Sequence, residues 1–354
     1  MFEKLQKDAG EIYEKFKKEK DEKKKVEYAY DYMGINDMIH NFISPFKMLG
    51  VPIEIQEAFA SKKQEMREAK QNITNQVYAN LDQLEKIYES FMSSFLKIDF
   101  SRVDSRNELG TFDMNTLKSF FEEYHLGEDF QKVINEDRVF MMDRKDIASS
   151  ATLKSIGKNY LFVSKDPYYS GMKTFAHEMG HLYANNLENN TQITTFVDEF
   201  MSILMEHLFL IYSDSDNHVE AHYQAIRDCM TYYMVVRQAY CQVMLMKFHP
   251  DAFRDMQLNP YYLPTLKRIS SNMPYDDKLE TLKLHYYALG FLLTATFYEK
   301  LKDGRMSLED IEKFYLINYH SNDLTSLIKN ISLTDVEDYV INVFNPNTKM
   351  KVKK

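Results

Sequence analysis

The sequence is poor in glycine, proline and cysteine, and it lacks tryptophan altogether. Its 354 residues include 10 Gly, 8 Pro and 2 Cys. Tight turns and strand ends use Gly and Pro, so their scarcity favours long helices. Cys229 and Cys241 lie 12 residues apart in a predicted helix, which is about 18 Å along its axis and too far for a disulfide. Reduced thiols are typical of a cytoplasmic protein, and this is the localisation that we predict.

Other absences exclude whole classes of function. No apolar run reaches the roughly 18 residues of a membrane span, and the charged N-terminal segment lacks the apolar stretch of a secretory signal. A net charge of −9 argues against nucleic acid as a partner. The lysine-rich run Lys17–Lys25 alternates with acidic residues and is typical of a solvated helix face. We therefore expect no nucleic acid and no membrane as partners, and the oligomeric state stays open.

Hydrophobic periodicity predicts a mostly α-helical fold. The spacing predicts helices over 2–30 and 31–45, followed by one very long helix or two abutting helices over 53–97, a segment without Gly or Pro. A loop is predicted over 104–110. The remaining predicted helices span 114–124, 128–135, 171–187, 195–212, 217–247, 278–301, 306–317, 322–330 and 334–344.

The segment before residue 171 differs from this helical pattern. Residues 138–142 and 159–164 are short apolar runs that predict two strands, whereas the Ser/Ala-rich stretch 148–156 predicts a loop. We therefore expect a small β hairpin or sheet directly before the next helix. We place the domain boundary between a helical N-terminal lobe, 1–135, and a catalytic region, 136–354.

The helix predicted after that segment contains His177-Glu178-Met179-Gly180-His181. Two histidines four residues apart lie on one face of a helix and can bind one tetrahedral metal ion. Glu178 is rotated by about 100° from His177, so it can accept a proton from a water molecule beside the metal. Chance alone predicts roughly 0.02 such motifs in this composition. The alternative is a pair of surface histidines, and the apolar neighbours of the motif argue against it.

A catalytic zinc site needs a third protein ligand, and four carboxylates follow the motif. Glu188 lies seven residues past the second histidine, about 10 Å along the same axis, and cannot reach the metal. Asp198 forms a plausible capping pair with Thr195 at a helix start. Glu199 shares a buried stripe with Glu206, and a buried carboxylate needs a positive partner. We therefore predict Glu199 as the third ligand. Glu206 is expected either to form a hydrogen bond with a ligand histidine or to form a salt bridge.

These residues resemble a known family. The motif H-E-M-G-H is followed by Thr195-Phe-Val-Asp-Glu-Phe-Met-Ser202 and then by Glu206. The pattern is similar to that of the M3 family of zinc oligopeptidases, which includes oligoendopeptidase F and thimet oligopeptidase. The resemblance implies that the two motif histidines and Glu199 bind one zinc ion and that the motif glutamate is the catalytic base. It also implies a zincin-type fold with two helical lobes around a cleft.

The resemblance continues towards the C-terminus. The segment His285-Tyr-Tyr-Ala-Leu-Gly-Phe291, together with Tyr298, is similar to the family segment that contacts substrate and stabilises the transition state. It implies that at least one of four side chains donates a hydrogen bond to the oxyanion: His285, Tyr286, Tyr287 or Tyr298. The strand 159–164 is expected to pair with an extended substrate, unless it is purely structural.

The function predicted from the sequence is therefore a zinc-dependent endopeptidase that hydrolyses short, unstructured oligopeptides. In this reaction Glu178 would assist the attack of water on the scissile carbonyl. Two alternatives stay open. A helical zinc carboxypeptidase or dipeptidase carries the same motif, and an inactive helical scaffold would retain the fold, although the intact glutamate argues against the scaffold.

Overall fold

The computed structural model describes residues 1–44, 46–98, 112–124, 126–135, 138–143, 148–164, 171–187, 195–214, 218–250 and 283–344. The loop predicted over 104–110 and the carboxylate of Glu188 lie outside these residues. The helices are α1 (Phe2–Lys18), α2 (Glu22–Met38), α3 (Ile53–Ala79), α4 (Leu81–Phe95), α5 (Met114–Glu123), α6 (Gly127–Asn135), α7 (Gly171–Leu187), α8 (Phe200–Asp214), α9 (His218–Phe248), α10 (Lys283–Lys302), α11 (Leu308–Ser321), α12 (Leu324–Ile328) and α13 (Leu333–Phe344).

These helices, with one small sheet, confirm the mostly α-helical class. The chain forms two compact units. The first comprises Met1–Ala69 and Phe112–Asn185, and the second comprises Lys70–Thr111 and Asn186–Lys354. The domain boundary predicted at residue 135 stays a prediction. None of the described helices is both long and apolar enough to span a membrane.

The predicted helix over 2–30 is wrong, because the chain breaks between α1 and α2. Asp21 caps the N-terminus of α2, where its carboxylate accepts hydrogen bonds from the backbone N–H groups of Lys23 and Lys24 at 2.8 and 3.4 Å. Aspartate is favoured at such positions because it satisfies N–H groups that have no partner within the helix. The next predicted helix, 31–45, is also wrong, because α2 continues through it to Met38 before a π-helical turn at Ile39–Ile43.

Two abutting helices occupy the segment 53–97, as one of the two alternatives predicted. The break between α3 and α4 falls at Asn80, which has non-helical backbone angles. The Asn80 side chain donates to the carbonyl of Gln76 at 2.8 Å and accepts from the hydroxyl of Thr325 at 3.0 Å. This distant partner explains why periodicity alone left the two alternatives open.

The sheet has three strands: β1 (Val139–Met142), β2 (Ala148–Leu153) and β3 (Lys158–Ser164), in the order β1-β3-β2. β1 is parallel to β3, and β2 is antiparallel to it. The prediction of a loop over 148–156 is wrong, because the Ser/Ala-rich β2 has little intrinsic strand preference and owes its conformation to pairing with β3. β3 is the central strand, and its backbone at 161–163 pairs on both sides. The prediction that β3 receives the substrate is therefore wrong for these residues.

Two buried aspartates join the first two helices to this sheet and to the turn between β2 and β3. Asp8 in α1 accepts hydrogen bonds from Lys158, at 2.6 Å, and from Tyr160. Burial raises the pKa of Asp8, but these two bonds and the charges of Lys158 and Arg138 together hold the pKa below its usual value. Asp31 in α2 accepts from the backbone N–H and the hydroxyl of Ser155 at 2.8 and 2.5 Å. There burial dominates and raises the pKa of Asp31 to about 6.

The second unit is built around α10. This helix is buried on nearly all its faces, and α8, α9 and α13 pack against it. A helix that is apolar all round is a core helix, which explains the run of large apolar residues after Gly290. The residues of α10 that the sequence placed in the site therefore lie in a helix that is packed on most of its faces.

Candidate metal centre

The helix α7 carries the motif of two histidines and is anchored within the first unit by aromatic packing. Phe175, two residues before His177, is fully buried. Its ring centroid lies 6.4, 6.5 and 5.9 Å from those of Phe112, Phe121 and Phe130. The helix begins at Gly171, where a Cβ atom would lie 2.9 Å from the Phe112 ring. Glycine is thus required for α7 to start so close to this aromatic cluster.

The motif side chains have the arrangement that the sequence predicts. The imidazole centroids of His177 and His181 lie 5.0 Å apart, with their planes at 78°. Both histidines are half-buried. Glu178 is only 6% exposed, and its carboxylate forms no hydrogen bond or ion pair with any residue that the structure describes. A buried carboxylate of this kind is available to accept a proton from a bound molecule.

Glu199 lies at the end of a turn, 195–199, that precedes α8 in the second unit. The predicted pairing of Thr195 with Asp198 is confirmed: the backbone N–H and the hydroxyl of Thr195 donate to the Asp198 carboxylate at 3.0 and 2.6 Å. The amide oxygen of Asn322 accepts from the backbone N–H of Phe196 at 3.2 Å. The helix predicted from residue 195 begins at Phe200 instead, because this turn comes first.

The Glu199 side chain is half-buried and held by its neighbours on both sides. The hydroxyl of Ser202 donates to the Glu199 carbonyl at 2.9 Å and lies 3.4 Å from its carboxylate. Gly290 of α10 faces the same residue: a Cβ atom there would lie 3.1 Å from the Glu199 carbonyl carbon and 3.2 Å from its Cβ. The carboxylate is therefore fixed by a hydroxyl of its own element and by the close approach of another helix.

The three predicted metal ligands lie close enough to bind one ion. His177, His181 and Glu199 each offer one ligand atom, and these atoms all lie within 4.8 Å of one another. No second group of three His, Cys, Asp or Glu side chains meets this distance in the described part of the chain. Two imidazole nitrogens and one carboxylate oxygen are a ligand set that suits zinc and leaves a fourth position open.

Two of the four residues predicted to contact the oxyanion are buried near the start of α10. His285 is fully buried, and its Nδ1 lies 3.0 Å from the Tyr88 hydroxyl. Its Nε2 has no hydrogen-bond partner among the described residues, and burial lowers the pKa of His285 to about 4, so the ring is neutral at pH 7. Tyr286 is 7% exposed, and burial, followed by the charge of Asp198, raises the pKa of its phenol.

The other two differ sharply in exposure. Tyr298 is fully buried, with its ring 5.3 Å from that of Tyr339. Tyr287 is half-buried and is the most accessible of the four. The pKa of Tyr232 is raised by burial and then by the charges of Glu206, Asp228 and Glu199 and by Tyr287. Tyr287 and Glu199 thus both raise the pKa of the same buried phenol, that of Tyr232. Tyr298 lies 11 residues beyond Tyr287, about 16 Å further along the axis of α10.

Sequence reasoning missed two residues that hold the Glu199 turn. Asn322 has a left-handed backbone, with φ of 43°, and is the only non-glycine residue with positive φ in the described ranges. It ends α11, and asparagine at a helix C-terminus was a usable signal. Gly290 lies within the segment 285–291 that resembles the family, but no pattern in one sequence indicates which element a glycine contacts. Glu206 is 4% exposed in α8. Its two predicted roles, a hydrogen bond to a ligand histidine or a salt bridge, stay predictions.

The comparisons with known proteins are sparse. No protein-family description and no curated protein matches the sequence. One solved structure that resembles the chain is titled "PZ peptidase A with inhibitor 2". The two are 14% identical, with a TM-score of 0.40, and the match covers 78% of this chain and 57% of that one. The chain thus spans little more than half the length of that structure's chain.

Proposed function

We propose that this protein is a zinc metallopeptidase of the M3 type that cleaves short, unstructured oligopeptides at internal bonds. The observation that carries the proposal is the group formed by His177, His181 and Glu199, whose ligand atoms lie within 4.8 Å of one another. The buried carboxylate of Glu178, next to the first histidine on α7, completes the arrangement of a peptidase that activates water.

The three ligands would hold zinc through two nitrogens and one oxygen. A bound zinc ion supplies Lewis acidity, which polarises the scissile carbonyl and lowers the pKa of water. Because only three protein ligands are used, a fourth position is open to water or substrate. The Ser202 hydroxyl, 3.4 Å from the Glu199 carboxylate, would orient this ligand through a hydrogen bond.

Glu178 would act as the general base. Its carboxylate accepts a proton from the attacking water and then delivers that proton to the nitrogen of the leaving amine. The 6% exposure of Glu178 excludes most bulk water from its surroundings, and this strengthens its interaction with the transferred proton. The same residue would thus serve the attack and the departure of the leaving group.

Tyr287 is the residue to which we assign the oxyanion donor. It is the most accessible of the four predicted candidates. Like Glu199, it contributes to raising the pKa of the buried Tyr232. A phenol donates its proton in a hydrogen bond without losing it, which suits the charge that develops on the carbonyl oxygen. His285 and Tyr298 are both fully buried and would support α10 instead.

The substrate would be an extended peptide. An edge strand of a sheet can add such a peptide through backbone hydrogen bonds, and β1 and β2 are the edges of this sheet. A folded protein would first have to unfold, at a cost of about 5–15 kcal/mol, so peptides are preferred. The cleft between two helical lobes and the cytoplasmic location belong to this proposal.

The test is a ladder of quenched fluorescent peptides of increasing length, incubated with the zinc-loaded protein and analysed by mass spectrometry. Internal cleavage of short peptides is the expected result. Release of single C-terminal residues or of dipeptides would replace the proposal by a carboxypeptidase or a dipeptidase. A protein that binds zinc and cleaves no peptide would be the inactive scaffold. Glu178→Gln is the matched control, because it removes the base while leaving every ligand in place.

A further inference from the structure

The helix α10 approaches the Glu199 turn so closely that a Cβ atom at Gly290 would require its neighbours to shift by a few tenths of an ångström. A Cβ atom at Gly290 would lie 3.0 Å from Cδ1 of Ile203, 3.1 Å from the carbonyl carbon of Glu199 and 3.2 Å from its Cβ. These separations are shorter than the 3.5–4.0 Å at which carbon atoms attract each other best. Two of the three atoms belong to Glu199 at or next to its backbone, so a side-chain rotation cannot relieve the contact.

Not every helical glycine of this protein has such surroundings. Gly10 in α1 and Gly34 in α2 also lie inside helices, yet a Cβ atom at either would meet nothing within 4 Å. Glycine weakens a helix relative to alanine, and at Gly290 the structure gives a reason to keep it. The same face of α10 stays close to α8 one turn later, where the Thr294 hydroxyl donates to the Phe200 carbonyl at 3.5 Å.

The neighbouring residue fixes the rotation of α10 about its axis. Phe291 is fully buried and stacks on Tyr232, with ring centroids 4.6 Å apart and planes at 9°. Gly290 therefore sets the distance between α10 and the Glu199 turn, while Phe291 sets the direction in which α10 faces. Tyr287 lies three residues before Gly290, on the same side of the helix.

We propose that Gly290 is a positioning residue of the candidate metal centre, where it sets the separation between the Glu199 carboxylate and the Tyr287 phenol. This inference rests on the proposed function, because it gives Glu199 the role of a metal ligand. A methyl group at position 290 displaces the backbone of Glu199 away from α10. The carboxylate then leaves the position from which it can share an ion with the two histidines.

The experiment measures zinc affinity by competition with a chromophoric chelator. Gly290→Ala is expected to bind zinc at least tenfold more weakly than the wild type, the range seen when residues that orient a ligand are lost. Gly34→Ala is the matched control, since it makes the same chemical change where space is open, and its affinity is expected to stay within twofold. The double variant Gly290→Ala/Ile203→Val removes the nearest atom and is expected to recover part of the lost affinity.

The outcomes separate this inference from the function on which it rests. A wild type that binds no zinc refutes the metallopeptidase proposal and the inference with it. A wild type that binds zinc, with a Gly290→Ala variant of equal affinity, overturns the inference alone. If Gly290→Ala does not fold, as judged by circular dichroism, the double variant takes its place. A loss of affinity in Gly34→Ala as large as that in Gly290→Ala would also overturn the inference.

Discussion

The helix α7 and the turn 195–199 carry the candidate ligands in two different ways. In α7 the helical repeat alone brings two imidazoles to 5.0 Å. In the turn, Glu199 depends on contacts with distant parts of the chain: Asn322 accepts from Phe196 across 126 residues, and Gly290 packs against Glu199 itself. Local spacing thus fixes one half of the candidate centre, whereas tertiary packing fixes the other half.

The difference predicts how each half responds to substitution. In α7 the consequences of a change are expected to stay with the altered side chain, because the helix persists without it. In the turn, a change far from Glu199 in sequence is expected to reach the metal.

The largest effect is expected from Glu178→Gln in α7. Glutamine has nearly the same shape but cannot accept the proton of the attacking water, so kcat for peptide cleavage is expected to fall by about 10²–10⁴ or more. Zinc affinity and thermal stability should stay at wild-type values. Steady-state kinetics with a zinc titration of the same sample checks both statements. Near-normal turnover in this variant would remove Glu178 from the mechanism.

The next effect concerns Tyr287, the proposed oxyanion donor in α10. Tyr287→Phe removes a single hydroxyl donor, and kcat is expected to fall by about 10²–10³ with KM little changed. Tyr286→Phe and Tyr298→Phe are matched controls on the same helix, where both rings are buried. Equal losses in all three variants would contradict the assignment, since they would indicate damage to α10 rather than a lost donor.

A smaller effect is expected from Asn322, which holds the turn from a distance. Asn322→Gly keeps the left-handed backbone but removes the amide oxygen that accepts from Phe196. Zinc affinity is expected to fall by about tenfold, as for other residues that orient a ligand indirectly. Asn322→Ala adds backbone strain and should lower thermal stability further. Wild-type zinc affinity in both variants would show that the turn does not need this contact.

A separate effect concerns stability in acid and involves neither half of the centre. Burial raises the pKa of Asp31 to about 6, against a usual value of 3.8. Between these values the folded state holds a proton that the unfolded chain releases. Protonated Asp31 therefore stabilises the folded state fully below about pH 4. This contribution to the free energy of unfolding, up to about 3 kcal/mol, is lost as pH rises to about 6.

The substitution Asp31→Asn removes this titration and keeps an acceptor for Ser155. Relative to the wild type, the variant is expected to gain urea resistance as pH rises from 4 to 7, and unfolding midpoints along this series measure the gain. The nearby charges of Glu27 and Lys154 have only secondary effects. Parallel pH profiles for the two proteins would contradict the raised pKa. His285, with its pKa lowered to about 4, contributes the opposite slope in both proteins.

The sequence predicted what depends on local periodicity. The helical class and the spacing in α7 follow from patterns of three to four residues. The strand β2 was missed because its Ser/Ala residues carry no strand signal and depend on pairing with β3. The break between α1 and α2 was missed although Asp21 is a recognisable cap, since the charged periodicity around it continues without interruption.

In the candidate site, too, the sequence predicted local features but not the contacts between distant elements. Glu199 was predicted from its stripe and from a family pattern, but what holds it in place was not. The contacts of Gly290 and Asn322 join elements that are far apart in sequence, and no repeat within one chain records them. Among the four candidate oxyanion donors in α10, residue type did not distinguish the half-buried Tyr287 from its buried neighbours. The exposure of a side chain depends on how the helices pack around it, which residue type does not reveal.

The central claim is that His177, His181 and Glu199 hold one metal ion, and the most direct test is the metal content and ligand environment of the purified protein. We predict one zinc ion per wild-type chain and, by X-ray absorption, nitrogen and oxygen ligands at about 2.0–2.2 Å. His181→Ala should lose the metal, while His249→Ala, which alters an exposed histidine, should keep it. A wild-type chain that binds no divalent metal near neutral pH, or a His181→Ala variant that binds zinc as tightly as the wild type, would contradict the account.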